Sequence, residues 1–187
     1  MARERLYLFD TTLRDGAQTT GVDFSLEDKR LIIRTLDELG LDYIEGGYPG
    51  ANVTDTELFG SEHKLKTATL TAFGMTKRAG RSVSNDPGFQ AILQAKAGAI
   101  CLVAKAWDYH VRVALGVSNE ENLEGVAQSV EAIVKSNGAA GREAQGGAGR
   151  QAMIDCEHFF DGYKANREYA LAVATSAYTS GARWVVL

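Results

Sequence analysis

The sequence predicts an α/β fold built on parallel strands, and three observations carry that reading. Short apolar or β-branched runs alternate with longer stretches of helical periodicity. Capping residues and glycines punctuate the helical stretches. Nearly every helical stretch lies between two strand candidates, which calls for crossover connections and parallel pairing.

Residues 6–10 (LYLFD) form an apolar run that ends in polar residues, a strand signal. Over residues 25–39, Leu26, Leu31, Ile32, Leu36 and Leu39 recur at helical spacing. Ser25 with Asp28 gives a capping start, and Gly40 stops the helix. Residues 41–48 read as a second strand, closed by Pro49 and Gly50, and residues 52–64 as a short helix. The third strand, residues 67–73, is rich in β-branched residues. A loop over 74–85 leads to a helix that Asp86 caps, with Pro87 in its first turn, running to about Ala97 before Gly98. Residues 99–105 are the fourth strand. Ser118 and Glu121 form a capping box for a helix through Ser136, which Asn137 and Gly138 end. A fifth strand (151–157), a fifth helix (166–180) and a sixth strand (183–187) follow.

The result is five β-α units and one more strand. An open doubly wound sheet and a barrel both accommodate that order. A complete barrel takes eight units in about 250 residues. Here the chain stops on Trp184, Val185, Val186 and Leu187 with no helix to cover the strand. A bare hydrophobic edge recruits other chains, so the expectation is the N-terminal portion of a longer single domain. Residues 138–150 (GAAGREAQGGAGR) are glycine-rich and offer nothing for a core, so they read as a flexible loop insert. In a barrel, a helix-to-strand loop lies on the face opposite the chemistry.

Composition narrows the function classes. The 187 residues are 45% hydrophobic and 24% charged with a net charge of −4. That is globular composition, with no basic face to attract nucleic acid or an anionic membrane. Cys101 and Cys156 each sit in an apolar run, as buried thiols of a reducing cytosol do. The apolar run near the start is too short for a signal-peptide core or a membrane span, so a cytoplasmic protein is expected.

The strongest chemical signal is residues 9–18, FDTTLRDGAQ, where the first strand meets its loop. That is the catalytic face of either architecture. Asp10 and Asp15 offer hard oxygen ligands, Arg14 a permanently charged fork, and Gly16 a tight turn. The set is suited to holding a divalent cation beside a group that neutralises an enolate or carbonyl oxygen. A loop salt-bridge cluster is the plain alternative.

DTTLRDGAQ resembles the signature of the DRE-TIM metallolyases: isopropylmalate, homocitrate and citramalate synthases, with hydroxymethylglutaryl-CoA lyase and related carboligases. YIEGGYP (43–49) is similar to that family's second strand. TAFGMTKR (71–78), AWDYHV (106–111) and DCEHFFDGYKAN (155–166) are especially similar to its citramalate-synthase branch. The resemblance covers the chain apart from the glycine-rich insert. It implies a TIM (β/α)8-type barrel, incomplete here, and an acyltransferase that condenses acetyl-CoA with a 2-keto acid (pyruvate, giving citramalate). Synthesis of 2-isopropylmalate or homocitrate is the in-family alternative. A barrel fragment serving only for binding or assembly is the alternative outside it.

The resemblance further implies roles. Asp15 is the metal ligand of the first strand, for Mg²⁺, Mn²⁺ or Zn²⁺. Arg14 polarises the keto oxygen, Glu45 orients Arg14, and Glu157 is the acid/base carboxylate near the acetyl methyl group. A half-buried barrel mouth can raise such a carboxyl's pKa. Asp10, Gln18 and His110 complete the expected substrate-binding set. His158 is expected to pack, and His63 to be solvated in a polar helix. The chain departs from the family in lacking its His-x-His metal pair: His63, His110 and His158 are far apart in sequence. The resemblance therefore places the histidine ligands beyond Leu187, and implies a homodimer for the full-length enzyme.

Overall fold

The computed structural model describes residues 4–136 and 149–187. Six strands lie side by side in chain order: β1 (Phe9–Asp10), β2 (Tyr43–Gly47), β3 (Thr69–Met75), β4 (Ala99–Lys105), β5 (Gln151–Glu157) and β6 (Trp184–Val186). Every neighbouring pair is parallel. A doubly wound sheet reverses its order at a switch point. This sheet never does, so its crossovers all turn the same way and it curls into part of a (β/α)8 barrel. The open-sheet alternative is thereby excluded.

The helices are α1 (Leu26–Glu38), α2 (Val53–Leu58), α3 (Pro87–Gln94), α4 (Asp108–His110, continued by a π-turn over Val111–Leu115), α5 (Asn119–Lys135), α6 (Phe159–Ala165) and α7 (Arg167–Thr179). Caps follow the sequence signals. The Ser25 hydroxyl accepts the Asp28 N–H, and Asp28 returns the bond to Ser25. Asp86 takes the Gly88 and Phe89 N–H groups ahead of Pro87. Strand alternation divides the sheet. Ile44, Leu70, Ile100, Leu102 and Ile154 face the helices in the main core, while Tyr43, Ala99, Cys101 and Met153 face the barrel interior. At the N-terminal end of that interior the Tyr43 hydroxyl donates to Gln151 Oε1 at 2.7 Å and accepts from Trp184 Nε1 at 2.9 Å. These bonds tie β2, β5 and β6 together below the site.

Several expectations need correction. Strand β1 pairs only from Phe9, and Leu6 and Leu8 are exposed. In α1, Leu31 and Leu39 point outward, while Lys29, Ile33 and Asp37 form the buried stripe. The phase shifts because both charged residues have partners inside. Asp37 accepts the N–H groups of Lys66, Thr67 and Ala68 at 2.7–2.8 Å. Helix α3 ends at Gln94, short of Ala97. Arg150 explains the stop: its guanidinium donates to the carbonyls of Leu93, Ala95 and Ala97 at 2.6–3.2 Å. Arg150 is 4% exposed, so it belongs to the core rather than to the loop expected over 138–150. Residues 138–148 of that loop lie outside the described residues. Helix α6 and the helical segment after β4 had no counterpart in the sequence reading. Among the described residues no helix is long and apolar enough to cross a membrane.

Candidate active site

The loop after β1 is wound tightly. The N–H groups of Arg14, Asp15 and Gly16 all reach the Thr11 carbonyl, at 3.1, 2.8 and 3.2 Å. Leu13 is fully buried beneath the turn, which sends Arg14 and Asp15 toward the C-terminal mouth of the strands. Asp10 shapes this turn: its two carboxylate oxygens accept from the Thr12 N–H and hydroxyl, each at 3.0 Å. Gln18 is exposed at the far end of the loop.

Arg14 is fixed on three sides. Its Nε donates to Glu45 Oε2 at 2.6 Å and its Nη1 to Asp15 Oδ1 at 3.0 Å. Its guanidinium carbon lies 4.0 Å from the Phe73 ring centre, a cation–π contact. Glu45 sits on β2 with 1% of its surface exposed, and Asp15 is mostly open to solvent. Glu45 Oε1 is buried and has no hydrogen-bond partner among the described residues. Burial pushes the Glu45 carboxyl up to about 7, Arg14 pulls against it, and Asp155 and Asp15 add to the rise. Asp155, inward on β5, is raised by its own burial, again opposed by Arg14, with Glu157 and Asp15 adding. Glu157 forms an ion pair with Lys105, its register partner on β4.

Two of the three histidines meet in space, and His158 packs as expected. His110 and His158 are brought together, ring centres 4.7 Å apart and edge to face. Trp107 lies 4.7 Å from the His110 ring. His158 adopts a left-handed backbone, φ 55, which turns the chain sharply from β5 into α6 immediately after Glu157. Its Nδ1 lies 3.3 Å from Asp161. His63 is not in a helix; its Nε2 is hydrogen-bonded to the Leu58 carbonyl at 2.8 Å.

A cavity of about 440 Å³ opens beside the mouth, lined in part by Tyr48, Met75, Lys77, Arg78, Ile92 and Leu115. Tyr48, in the cavity lining, packs edge-on to Phe73 at 5.6 Å, the same ring that Arg14 covers. The described residues do not complete a metal site. Among them no group of three or more His, Cys, Asp or Glu side chains could hold an ion, and one Asp15 oxygen is already taken by Arg14. The sequence reading had overlooked Lys105 and Asp155. Their signal was the two-residue period of a strand: each shares the inward face with Cys101 or Glu157.

The HMGL-like family matches residues 5–185. An (R)-citramalate synthase of Aquifex aeolicus is 44% identical over 186 residues, which is 98% of this chain and 33% of that protein. An (R)-citramalate synthase of Streptomyces coelicolor is 46% identical over 187 residues, again 98% of this chain and 33% of that protein. The chain thus spans about a third of the length of these curated relatives. Among solved structures, a Bacillus subtilis HMG-CoA lyase superposes with a TM-score of 0.71 at 17% identity, over 98% of this chain and 57% of that one. That likeness independently supports the barrel. On the motif around Arg14, the six-strand barrel segment and a match along nearly its whole length, the chain belongs to the HMGL-like family, the DRE-TIM group.

Proposed function

We propose that this chain forms part of the catalytic barrel of an acyltransferase that condenses acetyl-CoA with a 2-keto acid, with pyruvate as acceptor and citramalate as product. The observation that carries the reading is the Arg14 fork. Glu45, Asp15 and Phe73 hold a permanent cation at the strands' C-terminal mouth, where carbonyl chemistry needs a preset positive charge. Similarity to (R)-citramalate synthases over 98% of the chain supports the choice of acceptor.

In this reading Arg14 stabilises the keto oxygen as it becomes an alkoxide. Glu157 takes a proton from the acetyl methyl group, and the resulting carbanion attacks the keto carbon. Water then cleaves the thioester and drives the sequence forward. Asp15 would contribute one carboxylate to a divalent ion (Mg²⁺, Mn²⁺ or Zn²⁺) that polarises the keto oxygen; among the described residues no group of three or more His, Cys, Asp or Glu completes its ligand set. His110 lies beside the mouth as a substrate contact, and Asp10 acts by shaping the loop rather than by touching substrate. The whole protein is a cytoplasmic homodimer in this proposal. The buried free thiols Cys101 and Cys156, both pushed to higher pKa by burial, suit a reducing compartment.

Free-thiol release by the whole protein, with acetyl-CoA and either pyruvate, 2-oxoisovalerate or 2-oxoglutarate, tests the reading. Turnover is expected with pyruvate above the other two. Preference for a longer acid would assign the protein to the 2-isopropylmalate or homocitrate reaction, and no release with any acceptor would reject the enzymatic reading.

A further inference from the structure

The mouth holds a second cation that the reaction above leaves without a role. Lys105 ends β4 and faces inward, paired in register with Glu157 on β5. Its Nζ forms an ion pair with Glu157 Oε2, and the two side chains are 16% and 35% exposed. Partial withdrawal from water leaves such a pair less screened than a surface bridge while keeping it within reach of a ligand. The backbone at this point is pinned. Asn122 donates to the Lys105 carbonyl at 3.0 Å and to the Tyr169 hydroxyl at 2.7 Å, and the Ala106 N–H reaches the Glu157 carbonyl at 3.3 Å.

A condensation of this class develops negative charge on two oxygens. The first is the thioester oxygen, as the methyl group loses its proton. The second is the keto oxygen, as the new bond forms. Arg14 is committed on the β1–β3 side, through Glu45, Asp15 and Phe73. The first oxygen therefore calls for another donor, close to the base.

We propose that Lys105 is a further catalytic residue, the donor that holds the thioester oxygen of acetyl-CoA while Glu157 removes the methyl proton. The inference rests on the condensation reading. In the step, the methyl C–H bond breaks and its proton goes to the Glu157 carboxylate. The C–H electron pair becomes the C=C bond, and the carbonyl π pair moves onto the thioester oxygen. The negative charge that Lys105 neutralises on Glu157 thus passes to an oxygen that the same ammonium can reach. An ammonium carries three N–H donors, and Glu157 engages one of them. The proton transfer thus exchanges one ion pair of Lys105 for another.

The test uses carboxymethyl-CoA, a thioether whose carboxylate mimics the enolate, against acetyl-CoA itself, with the whole protein in wild-type, Lys105→Met and Lys105→Arg forms. Transition-state mimicry predicts that Lys105→Met weakens binding of carboxymethyl-CoA by about tenfold or more while acetyl-CoA binding changes by less than about twofold. Lys105→Arg is expected to recover part of the loss, because it keeps the charge. Equal loss for both ligands, or no loss for the mimic, overturns the role. A wild-type protein that releases no thiol and binds the mimic no better than acetyl-CoA refutes the condensation reading itself, and Lys105's role with it.

Discussion

Arg14 and Glu45 stand 31 residues apart in the chain and meet through a 2.6 Å bond from Nε to a carboxylate that is almost wholly buried. The bond fixes the guanidinium: Nε is committed to Glu45 on β2 and Nη1 to Asp15, which leaves Nη2 as the nitrogen to meet a ligand. A lysine could supply the charge at position 14 but not the planar fork. Arg14→Ala is therefore expected to cut turnover of the whole protein by about 10²- to 10³-fold, the range for removing one preset oxyanion donor. Arg14→Lys should recover only a small part. Steady-state kinetics with acetyl-CoA and pyruvate decide it; a lysine variant at near wild-type rate would show that charge alone suffices.

The same carboxylate gives stability a pH dependence of definite sign. Glu45 ionises near 7 in the fold, against 4.5 ordinarily. Between those values the folded state binds more protons than the unfolded chain, so stability falls as pH rises through this window. The slope from one such group is at most about 1.4 kcal/mol per pH unit. Below the window both states are protonated, and above it both are ionised, so the contribution levels off at either end. Asp155, raised in the same direction by its burial, adds a contribution of the same sign. Urea unfolding across the window should show the slope in the wild type and a flatter profile in Glu45→Gln. An unchanged slope in that variant would assign the effect to other groups.

Lys29 and Asp55 tie the Arg14 loop to the strands from beneath. Lys29 Nζ pairs with Asp55 and donates to the carbonyls of Leu13 and Gly46, each at 2.9 Å. Asp55 also accepts the Tyr48 N–H at 2.9 Å. Lys29 and Asp55 are both buried, so removing either one strands the other's charge. Lys29→Met and Asp55→Asn should each cost about 3–5 kcal/mol of stability. The double variant should cost less than the two single losses added together. Denaturant melts of the three proteins test this; additive losses would mean the two residues act separately.

The strand order and most helix starts were legible because their signals are local. Ser25 with Asp28, Asp86 with Pro87, and the runs at 99–105 and 151–157 each announce themselves within a few residues. What stayed hidden depends on contacts far apart in sequence. Lys29 and Asp37 look like the solvent face of an amphipathic helix until Asp55 and the loop at 66–68 supply their partners. Arg150 looked like the end of a loop because the carbonyls it satisfies belong to the last turn of α3 and the loop just after it, 53 or more residues earlier. In the site, Arg14 and Asp15 are neighbours in one motif, whereas their meeting with Glu45, the Lys105–Glu157 pair and the His110–His158 contact required strand register and the turn after β5.

A single added methyl group should also disturb that turn. Gly162 in α6 lies against the end of β4, and a Cβ placed there would come within 2.4 Å of the Ala106 carbonyl oxygen and 3.0 Å of the Trp107 Cα. Both obstacles are backbone, so neither can rotate away. Gly162→Ala must instead push α6 off the strand, moving the turn at His158 that positions Glu157 beside Lys105. The expected cost is about 1–3 kcal/mol, despite the higher helix propensity of alanine. The displacement should also lower turnover more than it raises KM for the keto acid, because the Arg14 side of the mouth is held by other strands. Thermal melts and steady-state kinetics on this variant provide the check. A protein that gained stability from the alanine would show that α6 does not press on β4 as closely as these distances require.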